Sequence, residues 1–403
     1  MRYQQQKRSR VPFGIAAAVF ALFLGLGTWN VARPLPAVAV TQESVPGAEA
    51  TVPNLTWPST GEAAVVVQNI TSLQTHGEQK ALPTASIAKV ITALTVLQEK
   101  PMEAGDLGPT LTLTQQDLDL YNSYVAVDGS VVRVAPGEQL TEYQALQALM
   151  LPSANNIADT LAIWAFGSLD AYHTAAVTYV KQIGMTGTTI GPDASGLSPE
   201  TKATPADLVR LGEQAMAHPV LSQIVGQKSV TLPVQGLVNN VNFALGKSGI
   251  VGIKTGNIDE VGGNLLFAAK ADIAEGKTVT IIGVVMGQPD LTAAVNASPP
   301  LIDSVRNNLY VAMPIKANEP VATYTTAWGA TATAVAKKDV SFVAWKSEAV
   351  KPKVTMQKTS VSYDEGATVG TISATAGSGS GTSDIVMTRT LASPTFWWRL
   401  TRH

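Results

Sequence analysis

The 403-residue sequence contains no cysteine, only four histidines and few charged side chains. Without cysteine there is no disulfide, no thiol nucleophile and no thiolate metal site, so such a chain can be exported without oxidative folding. The histidines, His76, His173, His218 and His403, have none of the spacings that hold zinc, and none stands where a Ser-His-Asp triad requires one. A zinc peptidase and a His-dependent serine hydrolase are therefore set aside, and no metal or cofactor is expected. A net charge of −2 gives no electrostatic reason to expect a nucleic acid partner. Gly246-Lys247-Ser248 looks like the end of a phosphate-binding loop, but the earlier glycine would fall at Val241 and a strand follows, so a turn is expected instead.

What is present begins at the N-terminus. Arg2, Lys7, Arg8 and Arg10 precede an apolar run from Phe13 to Leu26, the pattern of an export segment whose basic head stays in the cytoplasm. Residues 1–31 thus read as a signal peptide, with a candidate cleavage site at Ala37-Val38-Ala39, or as an N-terminal membrane anchor. Residues 32–55, rich in proline and small residues and without period, read as a flexible tether. The first globular unit is expected over 56–314 and a β-rich unit over 315–390. Residues 391–403 end in Phe396-Trp397-Trp398-Arg399, too short to span a bilayer but suited to its interface; packing on the β unit is the other reading.

Within the first unit, Ala63 to Asn69 reads as a strand and Ser86 to Leu97 as a nearly all-apolar helix that belongs in the middle of a domain. Leu111 to Leu140 reads as loops and short strands over a cleft. Helical patterns follow at Glu142–Met150, Asn156–Phe166, Asp170–Gly184 and Pro205–Ala217. The period then changes: Ile250–Lys254, Asn264–Ala269 and Thr278–Met286 predict an antiparallel meander, closed by a helix over Pro300–Val311. The expected class is α+β, helices on an antiparallel sheet, followed by a small all-β sandwich.

Three short motifs carry chemistry. Ser86 and Lys89 stand three residues apart, so on a helix they share one face and the amine can take the hydroxyl proton. Lys89 must be neutral for this, and burial together with a second cation, for which Lys254 is the candidate, would lower its pKa. Ser153-Ala154-Asn155 sits in a loop before a helix, where Ser153 can relay a proton and the Asn155 amide can hold a substrate backbone. Lys254-Thr255-Gly256 ends a strand: Lys254 and Thr255 can grip a peptide's terminal carboxylate, and Gly256 would let a peptide approach the backbone. Each motif alone is common; in this order they reinforce one another.

Together they resemble the serine-type D-alanyl-D-alanine carboxypeptidases, low-molecular-mass penicillin-binding proteins. Pro83-Thr84-Ala85-Ser86-Ile87-Ala88-Lys89-Val90-Ile91-Thr92-Ala93 is similar to the family's nucleophile helix, and Gly252-Ile253-Lys254-Thr255-Gly256-Asn257 with Gly263-Asn264-Leu265 to its strand and hairpin. The resemblance covers Trp57 to Pro314 well. It implies the transpeptidase-like fold, Ser86 as nucleophile, Lys89 as general base, Ser153 and Asn155 as relay and substrate holder, Lys254 and Thr255 as the carboxylate grip, and an oxyanion hole from the backbone N–H groups of Ser86 and Asn257. Asn257 departs from the histidine often found there. The implied partners are peptidoglycan pentapeptides ending in D-Ala-D-Ala, β-lactams as inhibitors and the membrane surface; the implied place is the cell envelope. Two alternatives share the motifs: a β-lactam-binding sensor with little turnover, and a β-lactamase, against which stand the missing Glu-x-x-Leu-Asn stretch after Ser153 and the extra β unit.

Overall fold

The computed structural model of the protein describes residues 11–258, 262–274 and 276–402; Arg2, Lys7, Arg8, Arg10 and His403 lie outside them. Val11–Ala32 forms α1, 22 residues long, with Ile15, Phe20, Leu22, Phe23 and Leu24 among the apolar side chains it leaves in solvent. It is the one helix among the described residues long and apolar enough to cross a membrane.

The first unit is organised by a five-stranded antiparallel sheet, in the order 250–258, 262–274, 277–288, 62–67 and 74–76. Both faces of this sheet are covered, which is why its strands read as continuous apolar runs and not as alternation. Val65, Leu265, Phe267, Ile281 and Val285 face one side and pack on Val295, Leu301, Ile302 and Val305. Ala64, Val66, Ile253, Leu266, Ile282 and Val284 face the other, toward a helical layer. The period-2 switch within each run assigns neighbours to opposite cores.

That helical layer is built around α2 (Ala88–Glu99), which is buried from Ala88 through Leu97, as an all-round apolar helix should be. Around it lie α3 (Gln115–Val125), α4 (Glu142–Met150), α5 (Asn155–Phe166), α6 (Leu169–Gln182), α7 (Pro205–Ala217) and α8 (Pro219–Val225). α9 (Leu291–Asn307) covers the far face. Several expectations are corrected. The stretch from Leu111 to Leu140, expected as loops and short strands, contains α3, started by a capping box between Thr114 and Asp117. The helix expected from Pro300 begins nine residues earlier because Asp290 caps it, its side chain accepting from the Ala293 N–H at 2.7 Å; Pro299 and Pro300 lie inside it.

The second unit is a six-stranded antiparallel sheet, order 39–42, 320–325, 331–336, 379–387, 368–376 and 351–356, over a strand pair of 309–315 and 340–345. Its core holds Tyr324, Phe342, Ile372, Ile385 and Met387. Two boundaries move. The pair Leu309–Ile315 places the start of this unit before residue 315. The tether expected over 32–55 is instead partly built in: Ala39–Gln42 adds the edge strand, Val38 is buried in the core, and Ala48 bridges to Val350. Such pairing is non-local, so no pattern within 32–55 announces it. α10 (Phe396–Thr401) ends the described chain beside α1.

Candidate active site

The nucleophile motif is not a simple helix start. Ala85–Ile87 forms a 3₁₀ turn whose Ala85 takes φ 49°, and α2 follows from Ala88. Left-handed backbone at an alanine costs about 1–2 kcal/mol, so the surroundings must hold it. They do so by two close approaches. A Cβ on Gly196 would lie 2.2 Å from the Ala85 carbonyl oxygen, and one on Gly256 would lie 2.7 Å from that of Thr84. Gly256, expected to make room for a substrate backbone, therefore makes room for the nucleophile turn. Asn264, fully buried, donates to Pro83 O at 3.1 Å and accepts from Gly287 N at 2.9 Å, tying the same turn to the sheet.

Lys89 is wholly buried, and its Nζ lies 2.9 Å from Ser86 Oγ, 2.7 Å from Asn155 Oδ1 and 2.8 Å from the carbonyl oxygen of Ser195. This set suits both states of the amine. As an ammonium it has three donors for three acceptors; as a neutral amine it keeps two N–H groups for the two carbonyls and offers its lone pair to the Ser86 hydroxyl. A proton can therefore arrive or leave without rearrangement. Burial pushes the Lys89 pKa well below the ordinary 10.5, and the Lys254 charge pushes it further, while Asp193 and Asp159 pull it partly back.

Lys254, 1% exposed, sits on the edge strand 250–258, and burial lowers its pKa to about 7. Its Nζ donates to Thr255 O at 3.2 Å. Thr255 is buried beside it, while Asn257, two residues on, is exposed and pairs with Gly263. Ser153 lies in the left-handed region at φ 65° between α4 and α5, 5% exposed, and among the described residues its hydroxyl makes no hydrogen bond. The geometry thus joins Ser86, Lys89 and Asn155 directly. It brings Lys254 within electrostatic reach of Lys89 and leaves Ser153 Oγ uncommitted. Asn155, expected to hold substrate, spends its Oδ1 on Lys89.

The family model for D-alanyl-D-alanine carboxypeptidase matches residues 56–290. The chain belongs to this family. Among curated relatives, the D-alanyl-D-alanine carboxypeptidase DacB2 of Mycobacterium tuberculosis is 32% identical over 187 residues, 44% of this chain and 58% of the relative. DacA of Escherichia coli is 28% identical over 211 residues, 50% of this chain and 49% of the relative. The chain spans about half the length of the curated relatives it matches. Penicillin binding protein 5 from Haemophilus influenzae superposes with a TM-score of 0.58 at 18% identity, over 84% of this chain and 98% of that one. The Streptomyces K15 DD-transpeptidase gives 0.54 at 23% identity, over 63% and 98%. These likenesses establish the expected α+β fold.

Against the family motifs, the residues that sequence reading missed are those acting through backbone. Ser195 contributes a carbonyl to Lys89, and the loop that aims it is held by Asp193, whose Oδ1 accepts from Ser195 N at 2.8 Å and Ser195 Oγ at 2.6 Å and whose Oδ2 accepts from Ser198 N at 2.9 Å. Asp159 Oδ1 accepts from Ala194 N at 3.1 Å while its Oδ2 accepts from the Tyr124 hydroxyl at 2.7 Å, and burial raises its pKa to about 6. The available signal was Asp193-Ala194-Ser195-Gly196, an Asp two residues before a Ser and then a Gly, which favours a side-chain-closed turn.

Proposed function

We propose that this protein is a serine D-Ala-D-Ala carboxypeptidase, removing the terminal D-alanine from peptidoglycan stem pentapeptides through an acyl-enzyme on Ser86. One observation carries the reading: Lys89 Nζ stands 2.9 Å from Ser86 Oγ with both its other contacts to carbonyl-type oxygens. That is the arrangement of a lysine able to accept the serine proton.

In this reading Ser86 Oγ attacks the carbonyl of the penultimate D-alanine as its proton passes to Lys89. The backbone N–H groups of Ser86 and Asn257 receive the developing oxyanion. Lys254 and Thr255 hold the terminal carboxylate, so the lysine charge is retained when the anion is present. The proton on Lys89 returns through Ser153 to the leaving amine, freeing D-alanine and leaving an ester on Ser86. Water then attacks that ester and gives its proton to Lys89, which passes it to Ser86 Oγ as the ester bond breaks, restoring the serine hydroxyl and the neutral amine and releasing the shortened peptide. A β-lactam acylates the same serine. Residues 56–307 would hold this machinery, and the β unit that starts with the strand Leu309–Ile315 would support it, in an exported protein associated with the outer face of the cytoplasmic membrane.

The test is incubation of the purified protein with a pentapeptide ending in D-Ala-D-Ala and mass analysis of the product. Loss of one D-alanine is expected. Ligation to a second peptide would make it a transpeptidase, and acylation without release would make it a sensor. Ser86→Ala is expected to abolish both D-alanine release and labelling by a fluorescent penicillin; labelling that persists would sink the assignment.

A further inference from the structure

α10 and the C-terminal end of α1, which the chemistry above does not use, meet. At 1.5 Å per residue the 22 residues of α1 extend about 33 Å, against about 30 Å of bilayer hydrocarbon. Phe20, Leu22, Phe23, Leu24 and Trp29 all stand in solvent along it. Its C-terminal carbonyls do not. The Arg402 guanidinium donates to Asn30 O from Nε at 2.9 Å and from Nη2 at 2.7 Å, to Pro34 O from Nη1 at 3.1 Å, and to Arg33 O. Asn30 Nδ2 donates back to Leu400 O at 3.1 Å, and Arg33 Nη2 to Arg402 O at 3.0 Å. A cation at these orphan carbonyls both satisfies them and complements the helix dipole.

The clamp is continuous with the β unit. Trp398 of α10 packs edge-on against Trp328 at 5.6 Å between ring centres, and Trp328 Nε1 donates to Ala392 O at 2.7 Å. Just beyond α1, Val38 is buried in the β core and Ala39–Gln42 forms the sheet edge. A cut after Ala39 would take Val38 out of the core, break the edge strand and remove every acceptor that Arg402 uses.

We propose that α1 is retained in the mature protein as a membrane-spanning helix, with α10 and Arg402 clamped on its outer end and Phe396 and Trp397 seated in the lipid interface beside it. The partner is the bilayer itself. Phe396 and Trp397 are 60% and 71% exposed, as aromatic residues of an interface belt would be outside lipid. A cleft of about 500 Å³ between α1 and α10, walled by Phe23, Leu24, Val31, Phe396 and Leu400, has the size and apolar lining for an acyl chain. The enzyme would then be held at a fixed height by two elements joined to its β unit, and not by a flexible leash.

The test does not depend on catalysis. The full chain is recovered from membranes of the expressing cells, washed in alkaline carbonate, and its N-terminus and intact mass are determined. An N-terminus before Val11 with retention through the wash is expected; a chain beginning at Val40, or release into the wash, would overturn the proposal. In detergent, Arg402→Ala is expected to speed proteolysis between Ala392 and Thr401 by about tenfold while fluorescent penicillin labelling is unchanged, with Arg402→Lys in between. Unchanged proteolysis in Arg402→Ala would overturn the clamp, and penicillin labelling of each variant separates that result from misfolding.

Discussion

The pocket around Lys89 and the middle of the edge strand around Lys254 are both closed to water, yet they are furnished in opposite ways. Lys89 has three partners at 2.7, 2.8 and 2.9 Å, all from other elements of the fold. Among the described residues Lys254 makes one hydrogen bond, at 3.2 Å, to the carbonyl of its own neighbour. A buried lysine whose positions are filled by fixed acceptors is equipped to exchange a proton. One held on an edge strand with a single long contact is equipped to take an anion, whose charge offsets the desolvation that lowers its pKa to about 7. The proposed function thus gives the same side chain proton transfer in one region and carboxylate binding in the other.

The largest test of this contrast is Lys89→Ala. It removes the base and leaves Ser86 without a proton acceptor, so acylation by either a peptide or a β-lactam should fall by about 10³-fold, measured as kcat/KM and as the second-order rate of penicillin labelling. A loss under tenfold would break the comparison. Lys254→Ala should cost less, about 10- to 100-fold, and selectively: kcat/KM for a peptide with a free C-terminal carboxylate should drop, while that for the C-terminal amide should hardly change. Equal losses on both would make Lys254 a second member of the proton-transfer pocket.

Next in size is the turn shared by both regions. Gly256→Ala places a methyl 2.7 Å from Thr84 O, so the turn must shift; destabilisation of about 1–3 kcal/mol and slower acylation are expected in thermal melts and labelling assays. Wild-type melting and labelling in that variant would show that the turn does not depend on a glycine at this position. Smallest is Glu142→Gln, remote from both lysines. Glu142 is buried at the start of α4 with neither carboxylate oxygen hydrogen-bonded among the described residues, and burial raises its pKa to about 7. The penalty is absent below its unfolded value near 4.5 and grows as pH rises through about 7, so the glutamine variant should gain about 1 kcal/mol at pH 8 and nothing at pH 4, read from paired melts.

What the sequence made legible follows from locality. Ser86 with Lys89, the helix runs and the apolar strands depend on spacings of two to four residues, and the structure places them where those spacings imply. Ser195 and Asn264 escaped because one acts through its backbone carbonyl and the other through a contact to Pro83 far away in the chain. The edge strand Ala39–Gln42 escaped for a related reason: its partner lies at Ala322–Thr325, and a four-residue Ala-Val-Thr-Gln stretch looks like linker until that partner is known. Gly256 reads as a close-approach glycine, and the atom that a Cβ there would meet is Thr84 O, at 2.7 Å. A glycine reports that something comes near without saying what.

The most direct measurement is the pH dependence of Ser86 acylation by a β-lactam, followed by stopped-flow or by labelling over pH 4–10. A neutral Lys89 predicts a rate that rises with pH through a midpoint well below the ordinary lysine value of 10.5, with the rising limb lost in Lys89→Ala. A limb centred on the ordinary lysine value, or a rate that falls across that range, would contradict a buried, uncharged lysine as the base.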